Sequence, residues 1–284
     1  MWWGGQDRMR VTIHVLAVAA TSLLIAAAPD SQVPPPGPEL SYADLADLSL
    51  PAPVAAHVRL KRAVGLKPAE AGIVPAGRTR FYVVAEMVAL IRGAEGLPSE
   101  VHYLADVPMR GGKPGKLAKK SEYIVLARRV PGKPGELQLV SPDAQLPFTA
   151  ARANMVRGIM REAAAADAPP RITGIGRAFH VPGTLPGESE TQIFLQTAGG
   201  QPVSLSVLRR PGIASRWAVS LSEVTDDAAA PPAANTLLWY RLACTLPKTI
   251  PAESYADAPE QAQAIRADYE VVIRGLGPCV RTRG

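Results

Sequence analysis

TRFYVVAEMVALIR, residues 79–92, decides the fold. Counted with a period of two, Phe81, Val83, Ala85, Met87, Ala89 and Ile91 share one face. The other face carries Arg80, Tyr82, Val84, Glu86, Val88 and Leu90. This composition predicts a long central strand with both faces substantially buried. Shorter segments around it read as strands too: Val54–Val64, Glu100–Val107, Glu122–Arg129 and Glu136–Val140. Gly/Pro-rich turns separate them at 93–96, 111–115 and 131–135. Five strands at this spacing predict a small barrel or a sandwich.

The order of these segments resembles an OB-type barrel, and within that group the netrin-like variant. The likeness rests on FYVVAEMVALIRG as the long central strand and KKSEYIVLARRV as a later strand. It covers roughly residues 45–150. The cysteines that staple many netrin-like domains are absent, and no functional residue carries over. The resemblance implies a binding or inhibitory module. The whole chain also resembles uncharacterised exported bacterial proteins, a likeness that supplies no activity.

Ala150–Ala166 reads as a helix, with Met155, Ile159 and Ala163 at four-residue spacing and Pro169-Pro170 ending it. Strands are then expected at Ile172–Val181, Thr191–Thr197, Val203–Arg209 and Trp217–Val224. Ala198-Gly199-Gly200-Gln201 marks a hairpin. The alternation of Thr191, Ile193 and Leu195 with Gln192, Phe194 and Gln196 predicts an antiparallel meander with one wet face. Asn235 is the expected N-cap of a short helix, Thr236–Leu246. A second helix, Ala258–Arg274, has an apolar stripe of Ile265, Tyr269, Val272 and Leu276. The fold class is therefore α+β and β-rich. The expected division is 1–28 signal peptide or anchor, 29–44 Pro-rich linker, 45–149 OB-like barrel, and 150–284 α+β domain.

Composition narrows the function. Of 284 residues, 47% are hydrophobic and 20% charged, which is globular composition. The 28 prolines and 24 glycines exclude a coiled coil. Two cysteines and four histidines exclude a Cys-rich zinc site. A net charge of +6 is spread over Arg59, Lys61, Arg62, Lys113–Lys120, Arg128, Arg129, Arg209 and Arg210. Basic residues are not interleaved with aromatics, so nucleic acid is not the expected partner. An envelope protein or an anionic ligand is.

Arg8 and Arg10 precede the apolar run Val11–Ala28, which closes on Ala26-Ala27-Ala28. That is the pattern of a secretory signal. Met9 is an alternative start. Pro29 sits poorly beside a cleavage site, and the run has the length of a membrane span, so an anchor at residues 11–28 stays open beside cleavage. The expected location is periplasmic or secreted. Cys244 and Cys279, an even pair in an exported chain, predict one disulfide contributing on the order of 3 kcal/mol.

The most site-like segment is His180–Thr191, HVPGTLPGESET. A histidine with Glu188 and Glu190 has the chemistry for acid–base work or for a divalent metal, although the spacing matches no metal motif. Gly187-Glu188-Ser189-Glu190-Thr191 is not a nucleophile elbow, since Thr191 stands where the last glycine belongs. His57 and His102 are secondary candidates that a barrel could join to Asp106 or Glu86. Gly174-Ile175-Gly176 lacks a third glycine and is no dinucleotide fingerprint. No cofactor or metal site is expected. The sequence thus favours a non-catalytic exported binding protein. The alternatives are a hydrolase or metal-dependent enzyme using His180 with Glu188 or Glu190, and an assembly factor.

Mass spectrometry of the protein from the envelope fraction is expected to find a chain lacking residues 1–28. An intact cytosolic chain would contradict export.

Overall fold

The computed structural model describes Met1, residues 39–222 and residues 229–283. The apolar run at 11–28 and most of the Pro-rich spacer lie outside the described residues. Pro38–Gly284 forms one compact unit.

The chain enters through a helix that the sequence patterning did not reveal. Helix α1 (Tyr42–Ser49) begins inside the last residues of the expected spacer. Ser41 caps it: its hydroxyl accepts from the Asp44 N–H, while the Asp44 carboxylate reaches back to the Ser41 N–H at 3.0 Å. Seven of its eight residues are buried, so α1 is a core element.

Strand β1 (Val54–Gly65) follows, then a single turn, α2 (Pro68–Ala71), then β2 (Arg78–Arg92), β3 (Glu100–Pro108), β4 (Glu122–Arg129), β5 (Glu136–Leu139) and β6 (Gln145–Pro147). The order is β1-β2-β3-β5-β4, and β1 pairs β4 as well. Five strands thereby close into a barrel, with β6 added outside β4. Closure needs β1 to use both edges over one stretch: Ala56 faces Leu90 of β2 and Val125 of β4. The β3–β5 pair is parallel, at His102↔Glu136, and the other pairs are antiparallel. This order is consistent with an OB-like barrel. The barrel core includes Val58, Leu60, Val83, Ala85, Val101, Tyr103 and Leu126.

Strand β2 departs from the expectation of burial on both faces. Val88 and Leu90 are exposed. The reason is length: β3 pairs β2 only as far as Glu86↔Glu100, so residues 87–92 run past it.

Helix α3 (Ala150–Ala164), capped by the Thr149 hydroxyl, leads into the second sheet. That sheet is a plain antiparallel meander of β7 (Ile172–Pro182), β8 (Ser189–Thr197), β9 (Val203–Arg210) and β10 (Ile213–Ser220). Two helices follow, α4 (Leu237–Ala243) and α5 (Ala262–Leu276). Thr236, not Asn235, caps α4; Asn235 takes a positive φ of 59° immediately before it. The stripe Ile265, Tyr269, Val272, Leu276 is buried, and α5 packs on β7, β9 and β10. Trp217 is buried inside β10, whereas the sequence placed it at the strand's opening. A Cβ on Gly275 of α5 would lie 2.2 Å from the Trp217 indole nitrogen, so only glycine admits the ring there.

The C-terminal tail returns to α1. Cys244 and Cys279 are disulfide-bonded, as the sequence predicted. Beyond Cys279, the Thr282 hydroxyl and N–H and the Arg283 N–H donate to the Asp44 carboxylate. Arg281 chelates Asp47, which also accepts from the Tyr240 hydroxyl at 2.6 Å. Burial alone would raise the Asp44 pKa. The hydrogen bonds from Thr282 and Ser41 outweigh it and lower the value from 3.8 to about 2.

A depressed carboxylate stabilises the fold above its unfolded pKa and loses that contribution as pH falls through the folded one. Asp44→Asn is therefore expected to cost about 2 kcal/mol at pH 7. The deficit relative to wild type should shrink as pH drops from 3.8 towards 2. Denaturant titrations across that window measure it; a pH-independent deficit would contradict the assignment.

Candidate functional site

His180 lies on β7 directly opposite Thr191 on β8, and the pair shares the buried face of the second sheet. The Thr191 hydroxyl donates to Asp268 Oδ2 at 2.5 Å. Its single proton is thus spent, so towards His180 it accepts, from Nδ1–H at 2.8 Å. This order places the neutral imidazole's proton on Nδ1 and leaves Nε2 as an acceptor. Arg209 of β9 holds the other carboxylate oxygen, Nε to Oδ1 at 2.5 Å. The Gln261 side chain accepts from the His180 backbone N–H at the start of α5.

Asp268 is fully buried and His180 nearly so, with 14% of its side chain exposed. A buried carboxylate survives only when paired and hydrogen-bonded. Asp268 meets that condition with Arg209, Thr191 and His180, the last at 3.6 Å. The cluster pins α5 to the sheet and orients one imidazole.

The glutamates expected beside His180 lie elsewhere. Glu190 faces Val181 across the ladder, one residue from Thr191, so strand alternation turns it to the opposite side of the sheet. There its carboxylate accepts from Gln192. Glu188 sits at the hairpin tip, where its side chain covers Gly183; a Cβ on that glycine would meet it at 2.4 Å. The carboxylate that His180 does meet comes from 88 positions away, by the residue numbers of the pair. The available signal was an acid inside the α5 stripe: Asp268 is three residues after Ile265 and four before Val272.

His57 and His102 take separate partners. His57 stacks on Phe148, centroids 3.7 Å apart, and binds Glu122 at 2.8 Å. His102 binds the Tyr82 hydroxyl at 2.6 Å and lies 3.3 Å from Glu100. Asp106 is taken by Arg80 and Glu86 by Arg59. Among the described residues, no group of three or more His, Cys, Asp or Glu side chains is placed to hold a metal ion.

The outer face of the second sheet is different in character. Phe179 and Phe194 meet there edge to face at 6.2 Å, each about 40% exposed. Val181 and Leu208 extend the patch and are more exposed than buried neighbours on the inner face such as Ile193 and Val207. The cross-strand row Val181–Glu190–Leu208–Arg216 adds one acid and one base. No protein-family model and no curated protein matches this chain.

Asp268→Ala removes a buried carboxylate and leaves the Thr191 hydroxyl without its acceptor, while Arg209, 37% exposed, keeps access to water. Its expected cost is about 1–3 kcal/mol. Thr191→Val, which keeps the shape and loses the hydroxyl, is expected to cost about 1–3 kcal/mol. Chemical denaturation measures both; a loss under about 0.5 kcal/mol for Asp268→Ala, the size of an ordinary surface change, would mean that the cluster does not anchor α5.

Proposed function

We propose that this is a non-catalytic binding protein that works outside the cytoplasm and holds another protein of the cell envelope on the outer face of its second sheet. The observation that carries the reading is the exposed Phe179–Phe194 pair, with Val181 and Leu208 beside it, on a hydrogen-bonded sheet. Aromatic residues on a rigid surface supply contact area at little conformational cost. A contiguous apolar patch with polar neighbours is the usual mark of a protein contact. The Cys244–Cys279 bond supports an oxidising compartment, as the secretory pattern of residues 1–28 does. The likeness of the barrel to OB-type and netrin-like modules supports binding over chemistry.

One observation favours a second reading, a hydrolase or metal-dependent enzyme built on His180. Thr191 and Asp268 orient the imidazole as a general base requires. Its carboxylate partner would then be Asp268 in place of Glu188 or Glu190.

A photo-crosslinking residue at position 194, in the full chain expressed in its own envelope, separates the two. The binding reading expects one discrete adduct with an envelope protein. Val181→Asp should abolish it, and His180→Ala should leave it intact. Phe194→Ser should cost about 1–2 kcal/mol, since the ring is more than half covered and meets Phe179 edge to face. The absence of an adduct, or one indifferent to Val181→Asp, would overturn the reading.

A further inference from the structure

On the barrel surface, Arg59, Leu60 and Lys61 of β1, Glu86 of β2, and Lys119 and Lys120 just before β4 line a shallow, open recess of about 550 Å3. Four cations and one carboxylate meet there. The acids nearby are already committed. Glu122 accepts from Arg59 at 2.8 Å and also meets His57. Glu86 lies 3.6 Å from Arg59, and Glu100 accepts from Lys61 at 2.7 Å. No carboxylate among the described residues lies within 4.0 Å of Lys119 or Lys120.

These two lysines sit on a fixed stretch of backbone. The Lys120 N–H donates to the Leu60 carbonyl at 2.9 Å, and the Leu60 N–H donates to the Ser121 carbonyl at 2.8 Å. Leu117 packs on the core just before them. At Gly115 a Cβ would lie 2.6 Å from the Pro108 carbonyl oxygen, so the loop lies directly against the end of β3. Lys120 itself has a φ of 70°, a left-handed conformation that glycine or asparagine adopts more readily. A solvated basic loop needs neither this anchoring nor a lysine at that position.

We propose that this recess binds a phosphate-type polyanion, with Lys119 and Lys120 as its ligands; Lys61 and Arg59, each paired with a carboxylate, border it. An anion with two or more charges supplies the negative partner that the two lysines lack. The lining has no aromatic ring on which a base could stack, so the recognised group is the phosphate and not a nucleobase. Phosphate of this kind reaches an extracytoplasmic protein either as a free phosphoryl compound or as a lipid headgroup. The proposal is independent of the sheet-face reading, because its residues all lie on the barrel.

The test uses the full chain and two probes at low salt, inorganic pyrophosphate and vesicles of phosphatidylcholine with or without cardiolipin, whose headgroup carries two phosphates. Binding of at least one phosphate probe is expected, weakening steeply as salt is raised. Lys119→Gln/Lys120→Gln should weaken it ~10-fold or more, and Lys113→Gln/Lys116→Gln, on the same loop outside the recess, less than ~3-fold. Lys120→Gly removes the charge and relieves the left-handed strain, so it should lose affinity while keeping or raising the melting temperature. Pyrophosphate binding identifies a free phosphoryl ligand, and binding confined to the cardiolipin vesicles identifies the headgroup. Failure of both probes, or equal loss from the two double variants, would overturn the site.

Discussion

The Asp44 carboxylate, 1% exposed at the start of a buried helix, is the point on which the two ends of the described chain converge. It accepts from the Ser41 N–H and hydroxyl on one side and from Thr282 and Arg283 on the other. Without those donors the acid would have no reason to stay ionised inside the protein. Helix α1 carries Leu45 and Leu48 into the same core as β1, and it packs against α3 and α4. The buried set that begins there runs without a break from the barrel through Val156 and Ile159 of α3 to Ile193, Leu205 and Tyr269 beyond. The disulfide and the Arg281–Asp47 pair hold the tail over this junction.

Such a frame matters for function because one proposed surface is the outward face of a sheet and the other sits on a loop hydrogen-bonded to β1. The Phe179–Phe194 patch depends on an inner face that is anchored to α5 by Asp268 and by the Trp217–Gly275 contact. The basic recess depends on β1, which is held along both edges by the closed barrel. In each case the buried side supplies the rigidity and the exposed side supplies the chemistry.

Much of the fold was legible in local pattern. The strands at 54, 79, 100, 122, 136, 172 and 203 begin within a residue of the structure's own. Period-two alternation and Gly/Pro turns are local, and they act over the few residues that a strand spans. Barrel closure was not legible as a pairing, because Val54↔Ala127 joins residues far apart in sequence. Helix α1 was missed for a different reason. Eight residues following a Pro-rich run are too few for a periodic signal, and the Ser41–Asp44 capping box was its only local mark. Within the candidate site, His180 and Thr191 were legible as the ends of one segment. Asp268 was not, because nothing near His180 in sequence points to a helix that packs beneath it. The alternation that turns Glu190 away from His180 follows from strand geometry, but only once the segment is known to be a hairpin and not a long loop.

One continuous core, gathered at α1, supports both sheets, so the two are expected to open as a single cooperative body. Native-state hydrogen exchange measures this. The slowest amides of the barrel, such as Val58 and Val83, and those of the second sheet, such as Ile193 and Leu205, are expected to report the same opening free energy, and Asp44→Asn should lower both together. Two distinct opening energies, with Asp44→Asn lowering only the barrel's, would contradict it.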